Sequence, residues 1–389
     1  VRNLNRSADL PSLRTDLKQR QDGWLEPLEE LVRCESPSGD PDRLLACAQI
    51  SERWFRSEAG ISETELTSEA TVPALTMRAR GSGGPSVLLL GHLDTVWDIG
   101  SFQPLFSISE GRVEGPGVFD MKGGVVVALA ALAALHQSDQ KVGDLTILLT
   151  GDEEVGSSAS LDLIRDEARQ HSAVLVLEPP QGRSVKIARK GIGGYRVTVH
   201  GRAAHAGLDP ERGVNSLVAM APLVAEVAAL ARPEVGTTVA PTVLRAGTRT
   251  NVVPAQAVLD VDVRFATAAE AERVDQGMRQ LSVGVPGARL DVEGGANRPP
   301  FEPSSSSRLF ALAQAVAAEL GWQGLEGASV GGGSDGNFTA ALGVPTLDGM
   351  GIVGGNAHAQ GEWAQIDSIP DRAALLAGCL AAVWEGRLA

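Results

Sequence analysis

Five residues of this chain, His92, Asp120, Glu154, Glu178 and His358, combine metal-binding side chains with places at the ends of short apolar segments or in the loops that follow. The segments are LLLGHLDTV (88–96), GPGVFDMKGG (115–124), LLTGDEEVGS (148–157), VLVLEPP (174–180) and GGNAHAQGEW (354–363). Two imidazoles and three carboxylates make the mixed nitrogen and oxygen set that zinc accepts at neutral pH. With one carboxylate acting as a bridge, five side chains can hold two metals about 3.5–4 Å apart, the arrangement of two-metal hydrolases. Metal-assisted hydrolysis is the chemistry to which these types and positions point.

Each residue also has a plainer reading. A histidine at a strand end is ordinarily polar surface, but in His92-Leu93-Asp94 the Asp94 carboxylate can accept the outer N–H of the ring and fix which nitrogen faces a metal. Asp120 can cap the glycine-rich helix that follows it, a role compatible with a rigid bridging carboxylate. Glu153 and Glu154 are either repelling loop charges or, with metals present, a base and a ligand. In the second case Glu153 takes a proton from the attacking water and passes it to the leaving amine, while Glu154 ligates. Asp152 makes three acids in a row, so the sequence leaves open which acid does what. Glu178, directly before two prolines, is solvated or bound to something, and His358 lies in a flexible loop. Together these sites use two of only six histidines and return repeatedly to one edge of one sheet. Backbone N–H groups of Gly331, Gly332, Gly333 and Ser334, in SVGGGSDGNF (329–338), could receive an anion.

Apolar patterning supplies the elements that position these groups. Helical spacing covers 24–34 and, after an Asp40-Pro41 cap, 42–55. Strands are expected at 74–80, 87–93, 145–151 and 173–179, separated by helices at 123–135 and 160–170. Strands alternating with helices imply a mostly parallel mixed sheet covered on both faces, with sites beyond the carboxyl ends of its strands. From Arg189 the pattern changes to strand 195–201, helix 214–231, strands 241–247 and 257–265, helix 268–281 and strand 288–294. That order, β-α-β-β-α-β, is the ferredoxin-like α+β motif. NRPPFEPSSSS (297–307) reads as a return linker. A helix at 308–320, a strand at 346–350 and a helix from Pro370 complete an α/β domain into which the smaller one is inserted. The expected boundaries are 1–188, 189–298 and 299–389.

Length fits two domains, since 389 residues exceed one ordinary core. Hydrophobic content of 43% with 21% charged residues describes an ordered globular protein. A net charge of −14 argues against a nucleic-acid partner. Cys34, Cys47 and Cys379 lie far apart in helical, apolar patterns and read as buried free thiols. VRNLNRSADLPSLR at the start lacks the apolar core of a secretory signal, and no apolar stretch spans a membrane without polar breaks, the nearest being 125–136. The expected location is cytoplasmic, with no membrane partner.

The ordered set HLDTV, GVFDMKGG, GDEEVGS, LEP, GRAAHAG, GGGSD and NAH resembles the M20 metallopeptidase family, especially its carboxypeptidase G2-like (glutamate carboxypeptidase) branch, over nearly the whole chain. The resemblance implies a zinc-peptidase-like catalytic domain with two Zn2+ per subunit, replaceable by Co2+ or Mn2+, and an inserted domain that forms a homodimer. It implies that Asp120 bridges, His92 and Glu178 complete one metal, and Glu154 and His358 the other. Glu153 becomes the general base, and Asp94 the residue that orients His92. His205, otherwise a turn histidine, becomes a donor to the scissile carbonyl oxygen that reaches the metal centre of the second subunit. Arg298 resembles the arginine that grips a substrate carboxylate, with Arg264 and Asn251 as further candidates. Arg264 has the alternative of an ion pair with Asp260 or Asp262. Ser334-Asp335 stands where the family has Thr-Asp. His136, His171 and His200 read as structural. The implied activity is release of a C-terminal, glutamate-like amino acid from a peptide or N-acyl conjugate. The rival is an N-acyl-amino-acid deacylase of the desuccinylase or acetylornithine type, and a non-catalytic binding protein is a distant third.

Overall fold

The six-residue strand Val87–His92 is buried along its entire length, and this decides how the first part of the molecule is built. Val87 and Leu89 face one layer of apolar side chains, and Leu88 and Leu90 face another. A strand apolar on both sides belongs in the middle of a covered sheet. In the computed structural model, which describes residues 9–67, 72–81, 83–138 and 143–388, it sits in a six-stranded sheet. The spatial order is Glu63–Thr67, Ala74–Ala79, Leu145–Thr150, Val87–His92, Ala173–Val176 and Thr346–Leu347. The first two pairings are antiparallel and the other three parallel.

The helix Gly123–Gln137 is buried almost all round and packs on one face of this sheet with the helices Pro303–Glu319 and Ser368–Trp384. Truncating a leucine there, such as Leu129, is expected to cost about 2–5 kcal/mol. The other face is covered by Ile164 and Ala168 of the helix Leu161–Arg169 and by Phe338 of Gly336–Ala341. A separate antiparallel sheet joins Gly354–Gly355, Trp363–Gln365, Arg112–Glu114 and Ser107–Ser109.

The chain divides into two compact units, one of Val1–Ala188, Pro303–Ser329 and Ser334–Ala389, the other of Arg189–Glu302 and Val330–Gly333. Within the second unit the antiparallel order is Thr238–Ala246, Gln256–Phe265, Gly191–His200 and Arg289–Arg298. The helices Ser216–Ala228 and Ala268–Arg279 give the β-α-β-β-α-β order. Alternate residues Tyr195, Val197 and Val199 and Leu259, Val261 and Val263 form its core with Met220, Leu223 and Met278.

Several elements differ from the sequence expectation. The helix Leu10–Gln19 was not expected, because only Leu10, Leu13 and Leu17 give it an apolar edge. Strand Glu63–Thr67 was missed because it is a polar sheet edge. The supposed linker is mostly ordered: the last strand runs to Arg298 and a helix starts at Pro303, a position where the first turn tolerates proline. Ser306, inside that run, donates through Oγ to the carbonyl of Ile187. Val118–Gln137 has the length and mean apolarity of a membrane span, but Asp120 and Lys122 break it, as the sequence reading allowed, and 83% of its most apolar 18 residues are buried in the protein. Helical geometry also breaks at Asp120 and Met121, leaving the 15-residue helix from Gly123, about 22 Å long and short of a bilayer core. Cys47 and Cys379 are buried, whereas Cys34 is half-buried and its Sγ donates to the Arg43 carbonyl. Residues 1–8 of the segment read for a secretory signal lie outside the described residues.

Candidate metal centre

Parallel strands end together, and three of the five candidate ligands follow from that. His92 is the last residue of Val87–His92, Glu154 lies in the short turn Glu153–Val155 after Leu145–Thr150, and Glu178 follows Ala173–Val176. Asp120 sits in the non-helical segment just before Gly123, and its peptide bond to Met121 is cis. His358 stands in the loop between Gly355 and Trp363 with a positive φ of 60°.

The five side chains meet. His92 Nε2 lies 3.4 Å from Asp120 Oδ1 and 3.5 Å from Glu178 Oε1. His358 Nε2 lies 3.4 Å from Asp120 Oδ2 and 3.1 Å from Glu154 Oε2. Asp120 therefore turns one oxygen to each imidazole, as a bridging carboxylate does. Glu153 has an oxygen within 4.8 Å of ligand atoms of both His92 and Glu178.

The spacings around His92 Nε2 suit a cation better than hydrogen bonds. His92 Nε2 and Asp120 Oδ1 are buried without a hydrogen-bond partner, and 3.4 Å is long for one between them. Donors about 2.0–2.2 Å from a tetrahedral zinc lie roughly 3.4 Å apart, which matches the distances to Asp120 and Glu178. The electrostatics agree. Burial alone would depress the His92 imidazole, but Asp120, Asp94 and Glu178 outweigh it and hold its pKa well above the ordinary value. Asp120 and Glu154 push His358 up to about 10. Burial raises the Glu154 carboxyl, whereas in Asp120 the same penalty is overcome by His358 and His92, which leave it well below its usual range. A crowd of acids is demanding positive charge, and the residues present fit a pair of small divalent cations.

Asp94 does more than the sequence indicated. His92 Nδ1 is 3.0 Å from the Asp94 backbone oxygen and 3.3 Å from its Oδ1. The same fully buried carboxylate accepts the N–H of Glu153 at Oδ1 and that of Glu154 at Oδ2, both at 3.1 Å, and the Ser38 hydroxyl at 2.6 Å. It thus fixes the backbone of both acids. The three-acid ambiguity resolves structurally: Asp152 accepts from Ala159 N, Ser160 N and the Ser160 hydroxyl, which ties it to the loop scaffold.

Two contributors were missed. Lys186, only 9% exposed, brings its ammonium 3.7 Å from Glu178 Oε2, where it offsets the clustered acids. Nothing in the sequence marked the strand Val185–Arg189, in which four of five residues are buried, Lys186 among them. Glu362 is 1% exposed and accepts the N–H groups of Gly117, Phe119 and Asp120 and the Trp97 indole. An acid four residues after His358 was the available signal.

The remaining candidates separate. Ser334 is fully buried; its hydroxyl donates to Asp348, and its N–H donates to Asn337 Oδ1 at 3.0 Å. That N–H is therefore occupied, which corrects its expected role as an anion donor. In the second unit, Arg264 grips Asp262 through two 3.0 Å contacts, because residues two apart on a strand share a face. Arg298 is 5% exposed and lies along Gly333, where a Cβ would come 2.6 Å from its Cδ, so glycine makes room for the guanidinium stem. His205 is exposed, and its Nδ1 accepts from Gly207 N and Leu208 N, which leaves the proton of the neutral ring on Nε2, ready to donate outward. Asn251 is exposed and its carbonyl accepts the N–H of Ala206 beside that histidine. His200 pairs with Asp291, and His171 is held by Glu167 and Thr146.

The family model for peptidase family M20/M25/M40 matches residues 88–382. The chain is 32% identical over 366 residues to carboxypeptidase G2 of Pseudomonas sp. (strain RS-16), covering 90% of this chain and 87% of that one. It is 31% identical to a succinyl-diaminopimelate desuccinylase of Methylorubrum populi, covering 84% and 90%. Among solved structures, aminopeptidase PepT from Bacillus cereus superposes with a TM-score of 0.78 at 20% identity, over 93% of this chain and 98% of that one, a likeness of fold.

Proposed function

This chain belongs to peptidase family M20/M25/M40 and is a hydrolase, and from that premise we propose that it uses two zinc ions to release a C-terminal, glutamate-like amino acid from a peptide or N-acyl conjugate. The observation that carries the reading is Asp120 reaching both His92 and His358 with separate oxygens. The choice of substrate is supported by the likeness to carboxypeptidase G2.

His92, Asp120 and Glu178 would hold one ion, and Asp120, Glu154 and His358 the other, with Co2+ or Mn2+ as substitutes. When bound, such a pair supplies Lewis acidity toward the scissile carbonyl and makes water more acidic. Glu153 takes the proton of the attacking water and returns it to the leaving amine. Asp94 holds the Glu153 backbone in register for that transfer. His205 donates from Nε2 to the developing oxyanion. The Arg298 guanidinium takes the substrate carboxylate, with Asn251 and the Gly333 backbone as auxiliary donors. Arg264, engaged by Asp262, is the weaker candidate for that task.

A homodimer is supported by the second unit's own surface. Its helix Ser216–Ala228 exposes Leu217 and Val218, and the edge strand Thr238–Ala246 exposes Val243 and Leu244. Apolar side chains on an edge and a neighbouring helix invite a partner.

The test is metal analysis followed by a panel of peptidyl-glutamates, N-succinyl and N-acetyl amino acids, read by amino-acid release. Preference for a C-terminal glutamate is expected. Preference for N-succinyl substrates would move the reading to the desuccinylase alternative. A protein holding two metals that cleaves no amide would refute it.

A further inference from the structure

Glu362 ties the loop that carries His358 to the segment that carries Asp120, just beyond the paired strands Trp363–Gln365 and Arg112–Glu114. Its Oε1 accepts the N–H of Phe119 at 2.9 Å and of Asp120 at 3.0 Å. Its Oε2 accepts the N–H of Gly117 at 3.0 Å and the Trp97 indole N–H at 2.9 Å. These backbone N–H groups are free to converge because the segment is not helical at Asp120, where φ is −117° and ψ 92°. The 117–120 backbone thus wraps an internal anion, much as such backbone concavities wrap phosphate.

The anion belongs to the loop that carries His358. Glu362 N–H donates to the Ala359 carbonyl, Ala359 N–H donates to the Asn356 carbonyl, and the Glu362 carbonyl accepts from Gly115 N. His358 itself has a half-exposed side chain and a left-handed backbone. His92, by contrast, is locked in the parallel sheet opposite Thr150. Beyond the pairing of Trp363 with Glu114, the loop's alignment with Asp120 therefore rests on the four donors gathered by one buried carboxylate.

We propose that Glu362 is a positioning residue that sets the separation of Asp120 and His358, and so the affinity of the metal position formed by Asp120, Glu154 and His358. The position formed by His92, Asp120 and Glu178 depends on it far less, since two of its three ligands are anchored elsewhere. The inference rests on the two-metal reading above.

The test is Co2+ titration of the metal-stripped protein, followed by visible absorption and calorimetry. Glu362→Gln has the same shape, but its NH2 faces N–H donors, so it loses two of the four contacts and the charge. Its second equivalent of Co2+ is expected to bind about 10–100-fold more weakly, the usual scale for a group that orients ligands, with the first close to wild type. kcat should fall at limiting metal and recover at excess metal, with KM unchanged. Trp97→Phe, which keeps the carboxylate and removes one donor, should weaken the same equivalent by a few-fold. Wild-type affinity for both equivalents in Glu362→Gln would overturn the inference, as would equal weakening of both together with a lower Tm. If that variant does not fold, Trp97→Phe decides, and unchanged binding overturns the proposal. A wild-type protein that takes up fewer than two Co2+ would instead refute the two-metal reading before any variant is compared.

Discussion

Asp94→Asn distinguishes what the Asp94 side chain does from what its backbone does. The His92 ring keeps its nearer partner in this variant, since the 3.0 Å contact from Nδ1 is to the Asp94 main-chain oxygen. The ring's tautomer should therefore survive. What the amide cannot do is accept at both ends. If its oxygen takes the place of Oδ1, its NH2 confronts the N–H of Glu154; if it takes the place of Oδ2, the NH2 confronts the N–H of Glu153 and His92 Nδ1. Either way one backbone N–H beside a functional acid loses a charged acceptor, worth about 1.5–3 kcal/mol. At 1.36 kcal/mol per tenfold, the expected loss in kcat/KM is roughly 10–150-fold. The assay is steady-state hydrolysis of an amide substrate with metal content and Tm measured on the same preparations. Ser38→Ala, which removes a single hydroxyl donor from Oδ2, should cost much less. An Asp94→Asn enzyme within twofold of wild type, at equal metal content, would refute the argument that this carboxylate organises the Glu153–Glu154 turn.

Glu153→Gln should lower kcat by about 10²–10⁴-fold, the range for a lost general base, while keeping both metals by elemental analysis; loss of a metal would make Glu153 a ligand. Removing metal with a chelator should lower the Tm of the first unit. Each ion at 100 times its Kd contributes about 2.7 kcal/mol, and calorimetry should register roughly 10 °C for two. Glu270, hydrogen-bonded by Arg273 and Thr237, is held down at about 2 in the fold. A depressed carboxyl stabilises above its unfolded pKa, so this contribution is present above about pH 4.5 and is lost as pH falls toward 2. Urea midpoints of Glu270→Gln should therefore be lower than wild type at pH 6 and converge with it near pH 2. Mixing His205→Ala with Asp120→Ala subunits should restore activity in heterodimers if His205 serves the second subunit; verified heterodimers without activity would exclude sharing.

The residue types and their order determined a great deal. Strand ends carry His92, Glu154 and Glu178 because a sheet buried on both faces leaves only its edge for polar chemistry. That rule is local, so the apolar runs before each residue were enough to reveal it. The three adjacent acids were a different case: Asp152, Glu153 and Glu154 have the same chemistry, and only packing turns Asp152 into Ser160 and directs the other two through Asp94. Lys186 and Glu362 were invisible for a related reason. Whether a lysine or glutamate is solvated or buried depends on what other segments bring against it, and those segments lie far away in sequence, as Trp97 does from Glu362. Arg264 shows the converse, a well-placed cation already claimed by a neighbour two residues along its own strand. Sequence set the candidate ligands because metal chemistry restricts residue type. Tertiary structure alone decided which oxygens face which nitrogens, because that depends on segments converging from distant parts of the chain.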